Sequence, residues 1–252
     1  MPWMPRKTHI ANKIPPYDLS EAFKDFDYKD EKYGSLVRAL RNIEAVRSIN
    51  HDLSEARQAF DTASTTSFEN RKDSVEDESA IITEALFVHA MMLYCRAVHS
   101  SSSARFKIDV VGKMNANEKS DHKYITKIRD TVIAHYGSGE NLEPTAWNKD
   151  HVVLHLKSPK FEFTYPTIRI AHTAVASERL SNMINRCIEI IIEIGTIKQN
   201  ILAEELMKQF SNKEFMKIIE GSVFDERSFF GKLMPAGTTG RHVVPSGEKP
   251  SD

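Results

Sequence analysis

The sequence predicts a mainly α-helical fold, a helical bundle with a small β-hairpin inserted before a long last helix. Three observations carry this. Apolar residues recur at three-and-four spacing over two long stretches, 31–64 and 172–210. A third stretch, 81–97, is apolar nearly all round, as a central core helix would be. One segment alternates instead, with Val152, Leu154 and Leu156 in one run and Phe161, Phe163 and Tyr165 in the next.

In chain order, 17–29 allows a short helix after Pro15-Pro16. Leu36, Val37, Leu40, Ile43, Val46, Ile49, Leu53, Ala56 and Phe60 mark the inner face of a long helix. A polar stretch, 64–72, reads as a loop. The next helix runs from about Asp73 to His99, with acidic residues in its first turn, where they suit the helix dipole. A fourth helix covers about 117–136, with Tyr124, Ile125, Ile128 and Val132 facing inward and Gly137 at its exit. The hairpin, about 151–166, turns at Ser158-Pro159-Lys160, and its Phe161, Phe163 and Tyr165 are expected to cover the bundle. Val175, Leu180, Met183, Ile184, Cys187, Ile188, Ile191, Ile194 and Ile197 line the last helix. The implied division is an N-terminal extension 1–30, a helical domain 31–210 and a largely flexible tail 211–252 rich in Gly, Pro and Ser.

Composition narrows the function classes. A formal net charge of −1 excludes a globally basic nucleic-acid module, so RNA binding would depend on a local patch. The two cysteines, Cys95 and Cys187, lie in apolar helical stretches and read as reduced, buried thiols. Residues 1–16 lack the apolar core of a signal peptide. The greasy run Cys187 to Ile194 is interrupted by Glu189 and Glu193 and is too short to span a bilayer. A cytoplasmic protein without membrane association is expected. His89, His99, His151, His155 and His172 form no metal set and read as structural, so no metal or cofactor is expected. There is no Walker loop, dinucleotide fingerprint or nucleophile elbow around Ser101 to Ser103.

The place where chemistry concentrates is Lys127-Ile128-Arg129-Asp130-Thr131-Val132-Ile133-Ala134-His135-Tyr136-Gly137. Arg129 can hold a phosphate and His135 can move a proton near neutral pH. On an ideal α-helix their six-residue separation is about 9 Å of rise and about 240° of turn, so they would not share one face. His122, seven residues before Arg129, falls on the same stripe, and Lys123 and Lys127 add positive charge nearby. Arg96 sits within an apolar helix, where it either pairs with a carboxylate or points into a polar cleft; Glu84 is the tempting partner, although twelve residues apart on one helix the two cannot touch directly.

The stretch from Asp121 to His135, with His122, Arg129-Asp130 and Ala134-His135, resembles the signature helix of HEPN-domain proteins. It looks most like their bacterial abortive-infection branch. Tyr94-Cys95-Arg96-Ala97 is similar to the Tyr-x-Arg-Ala segment of that branch. The resemblance covers roughly 31–210 in helix order, and these two segments match in detail. It implies a compact helical bundle that dimerises and a metal-independent endoribonuclease of a toxin–antitoxin or phage-defence system, with a cognate antitoxin or defence partner. The catalytic group would be Arg129, His135 and Asp130. His122, Arg96, Lys123, Lys127 and Tyr136 would contact RNA. His135, in the helix's last turn, suits the general-acid role, Arg129 would stabilise charge on phosphorus, and Asp130 would orient one of them. The alternative is a non-catalytic HEPN-type adaptor that binds RNA or a protein through the same surface.

Overall fold

The structure is a computed structural model that describes residues 15–69, 76–100, 105–135, 137–139, 142, 147–157, 160–170, 172–225 and 228–229. Its helices are α1 (Leu19–Ala22), α2 (Gly34–Glu69), α3 (Glu76–Val98), α4 (Ala116–Ile128), α5 (Ala174–Gln209) and α6 (Lys213–Glu220). Four strands stand between α4 and α5: β1 (Asn148–Asp150), β2 (Val153–Lys157), β3 (Lys160–Thr164) and β4 (Thr167–Arg169). The chain forms two compact units. Residues 28–205 make the larger, and residues 1–27 with 206–252 the smaller.

The larger unit is a helical bundle. The inner face of α2 supplies Leu36, Val37, Leu40, Val46, Ile49, Leu53 and Ala56, while Phe60 is only partly buried. α3 contributes Phe87, Ala90, Met91, Leu93, Tyr94, Cys95 and Ala97, and α5 contributes Leu180, Met183, Ile184, Cys187, Ile190, Ile191 and Ile194. Burial of this kind stabilises by about 25 cal/mol per Å² of apolar surface and is the main term holding the helices together.

Three sequence expectations need correction. α3 is not apolar-buried all round, since Ile81, Ile82 and Met92 stand in solvent. The α5 stripe is buried only in its middle, with Val175 and Ile197 exposed near its ends. Cys187 to Ile194 is also expected to be the longest apolar run, and a longer apolar helical segment lies elsewhere. Ser79–Val98 is long and apolar enough by length and composition to cross a membrane, with a mean hydropathy of 1.5. Here it packs as a core helix against α2.

The expected hairpin forms, and it is longer than its alternating core. β2 pairs antiparallel with β3, Leu154 opposite Phe163 and Leu156 opposite Phe161. Beyond a break at 151–152 and 165–166, β1 pairs antiparallel with β4, Lys149 opposite Ile168. The ribbon does not cover the bundle, because Phe161, Phe163 and Tyr165 are all exposed. Alternation identified residues that share a face, not whether anything packs on that face.

In the smaller unit, residues 16–23 meet residues 215–224. Asp18 caps α1, Asn212 caps α6, and Tyr17 bridges to Val223. The Phe23 ring stacks on Phe215 at 5.9 Å, both buried. Part of the stretch expected as tail is thus an amphipathic helix, with Phe215 and Ile219 inward. The end expected to be most flexible, 235–252, lies outside the described residues.

Candidate active site

α4 is fixed at its start by a reciprocal capping box. Asn115 Oδ1 accepts from the Glu118 amide at 2.9 Å, and Glu118 Oε2 accepts from the Asn115 amide at 2.8 Å. The other oxygen of Glu118 takes Arg186 Nε of α5 at 2.9 Å, and Asp121 pairs with Arg179. Ile125, Ile128 and Val132 are buried as expected. Tyr124 is half-buried, its ring under the Arg179 guanidinium at 4.4 Å.

The helix changes character at the residues of interest. From Arg129 to Ile133 it widens into a π-helical turn, in which the Ala134 amide donates to the Arg129 carbonyl at 2.9 Å. Single π-turns of this kind are rare and are frequent companions of functional sites. Gly137 closes the turn, its amide reaching back to the Thr131 carbonyl. A Cβ at Gly137 would lie 2.6 Å from that oxygen. The root of the ribbon holds this end in place, because Asn148 Nδ2 donates to the Gly137 carbonyl at 3.2 Å and Trp147 is fully buried beside it.

Arg129 and Asp130 are joined, Nη1 to Oδ1 at 2.5 Å, and Arg129 Nη2 reaches Ser100 Oγ at 3.3 Å. The second carboxylate oxygen of Asp130 lies 3.7 Å from His99 Nε2. Arg129 is largely buried, at 23% side-chain exposure, while Asp130 and His99 are roughly 40% exposed, at 44% and 38%. The cluster therefore straddles the boundary between core and solvent. Arg129 Nε is buried with no hydrogen-bond partner among the described residues. Burial pushes the neighbouring Cys95 thiol up to about 11, the Arg129 guanidinium offsetting part of the rise.

His122 faces inward, not out with the lysines. It is 9% exposed and hydrogen-bonded through Nδ1 to the buried Tyr94 hydroxyl at 2.8 Å, and its ring edge meets His99 at 5.9 Å. Burial first, and the nearby His99 second, hold its pKa below the ordinary histidine value. The stripe that carries His122 therefore turns toward the core about two turns before Arg129.

The other expected site residues divide. His135 is exposed and carries no hydrogen bond or ion pair among the described residues, so its imidazole is free to meet a ligand. Lys123 and Lys127 are exposed on α4. Arg96 pairs with Asp52 of α2 rather than with Glu84, at 2.6 and 3.1 Å, and that hydrogen-bonded carboxylate holds its pKa up. Tyr136 lies outside the described residues, as do Ser101 to Ser103. Sequence reasoning missed His99 and Ser100, which end α3 and touch the Arg129–Asp130 pair. The only available signal was their place just after Tyr94-Cys95-Arg96-Ala97, the segment already singled out.

A cavity of about 210 Å³ opens beside His99 and Ser100, lined also by Ile49, Arg105, Phe106, Lys107 and Ile108. Among the described residues no group of three or more His, Cys, Asp or Glu is placed to hold a metal ion. No family model matches this chain, and neither the curated proteins nor the solved structures contain a match.

Proposed function

We propose that the end of α4 is the active site of a HEPN-type, metal-independent endoribonuclease that acts as a toxin or in phage defence. The observation that carries this reading is the cluster of Arg129, Asp130, His99 and Ser100 at a π-turn, with His135 exposed at its end. Cutting RNA without a metal needs a cation for the phosphate and groups that take and give protons, because RNA supplies its own nucleophile in the 2′-hydroxyl.

His99 takes the 2′-hydroxyl proton, and the freed oxygen attacks phosphorus. The bond to the 5′-oxygen breaks, and His135 gives that oxygen a proton. A 2′,3′-cyclic phosphate and a 5′-hydroxyl result. Arg129 stabilises the added negative charge of the pentacovalent phosphorus, and Asp130 orients both Arg129 and His99. The cavity beside His99 has apolar walls and the exposed Lys107, which suit an unpaired base and its flanking phosphate.

A non-catalytic adaptor is the second reading. It is favoured by one fact, that Arg129 already has a carboxylate partner in Asp130. The test is a labelled single-stranded oligoribonucleotide incubated with the full chain in EDTA. Cleavage by the wild type, with losses of about a hundredfold or more in Arg129→Ala and His135→Ala at unchanged helicity, supports the enzyme. Binding without cleavage supports the adaptor.

A further inference from the structure

The tip of the ribbon carries an apolar face that stands largely open among the described residues. The pairs Leu154–Phe163 and Leu156–Phe161 stand on one face of the β2–β3 ladder, and Val153–Thr164 and His155–Glu162 on the other. Leu156 is 75% exposed and Phe161 72%, with Leu154 and Phe163 about half exposed and Val152 and Tyr165 similarly open beside them. From these exposures and the ~150–250 Å² of an aromatic side chain, the six present roughly 700 Å² of apolar surface. That exceeds the ~300–600 Å² of an ordinary largest patch on a monomer. A lone two-stranded hairpin is also marginal in water, so a face of this kind gains stability by being covered.

We propose that the occupant is a second copy of this chain, two ribbons packing face to face about a two-fold axis. The area is close to the ~800 Å² per partner that a standard stable interface buries. Across a two-fold axis a central charge meets its own like, and none of the six residues is charged. Each strand pair sets an aliphatic side chain opposite an aromatic one, so two copies can interleave large and small groups at the ~10 Å spacing of stacked sheets. A platform for single-stranded RNA would mix cations with the aromatics, and this face has no lysine or arginine among the six. The proposal does not depend on the nuclease reading.

Sedimentation of the full chain tests it. At about 50 µM the wild type sediments at twice the 28.7 kDa chain mass, and the double variant Leu156→Glu, Phe161→Glu dissociates at least about a hundredfold more readily. Both side chains are exposed, so helical circular dichroism stays unchanged in the variant. His155→Glu, on the opposite face, leaves the dimer intact. A wild type at 28.7 kDa, or a double variant that remains dimeric, overturns the proposal. In a monomer, protection of Phe161 and Phe163 from solvent labelling would assign the face to a segment of the same chain. Quenching of Tyr165 by single-stranded RNA would assign it to nucleic acid. Either result also overturns the proposal.

Discussion

Tyr94 and His122 are hydrogen-bonded at 2.8 Å beneath α4, the tyrosine fully buried and the histidine nearly so. This bond fixes the His122 ring edge-on to His99, the group that faces Asp130. It thus joins the core to the candidate site.

Its consequence is a pH dependence of stability. The folded state holds His122 neutral, its pKa lowered by burial and by His99. The unfolded chain takes up that proton below about pH 6.5. The unfolded state then binds more protons, so the His122 contribution is complete above about pH 6.5 and is lost as pH falls through that value toward the lowered folded pKa, at no more than about 1.4 kcal/mol per pH unit. Urea unfolding of the wild type and His122→Gln at about pH 7.5 and pH 5 measures it. The advantage of the wild type is expected to shrink at the lower pH; an equal advantage at both would show that His122 is not held neutral.

Asp52 is the keystone of a second polar cluster, 7% exposed at its side chain and paired with both Arg96 and Arg105. Arg105 also donates to the Arg96 carbonyl, tying the segment after α3 back to its last turn. Asp52→Asn is expected to cost about 2–4 kcal/mol, since it leaves the largely buried Arg105 guanidinium without its counter-charge. Arg96→Gln removes a guanidinium that is 61% exposed and is expected to cost under about 1 kcal/mol. Denaturation midpoints of the two variants decide the order, and a larger loss in Arg96→Gln contradicts it.

Gly139 adopts a φ of 69°, and a Cβ there would lie 2.5 Å from Trp147 Cδ1. Gly139→Ala is expected to destabilise by about 2–4 kcal/mol through the left-handed backbone and the clash together. It is also expected to loosen Trp147, and with it the Asn148 anchor on Gly137. A fall in Tm of several degrees with red-shifted tryptophan emission is the expected result. An unshifted spectrum would show that the ribbon root tolerates the methyl group.

Much of the fold is legible in the amino-acid pattern, because a buried face writes its period into the chain. Leu36 to Ala56 and Leu180 to Ile194 are read correctly for that reason. The π-turn at Arg129 is not legible, since an i→i+5 bond uses the same residue types as an i→i+4 bond. His99 was read as structural because its partner, Asp130, is thirty-one residues away, and only packing of α3 against the end of α4 brings them together. The inward turn of His122 was hidden for a related reason. A stripe defined by Arg129 has two edges, and only the position of Tyr94 decides which one is buried.

The most direct measurement is the chemistry of the cut ends. Oligoribonucleotide treated with the full chain in EDTA is analysed by mass spectrometry, beside a substrate carrying a single 2′-deoxy substitution at the cleaved position. A 2′,3′-cyclic phosphate with a 5′-hydroxyl, and no cut at the deoxy position, is the result expected of Arg129, His99 and His135 acting on the RNA's own nucleophile. A 5′-phosphate product, or undiminished cleavage of the deoxy substrate, would contradict it.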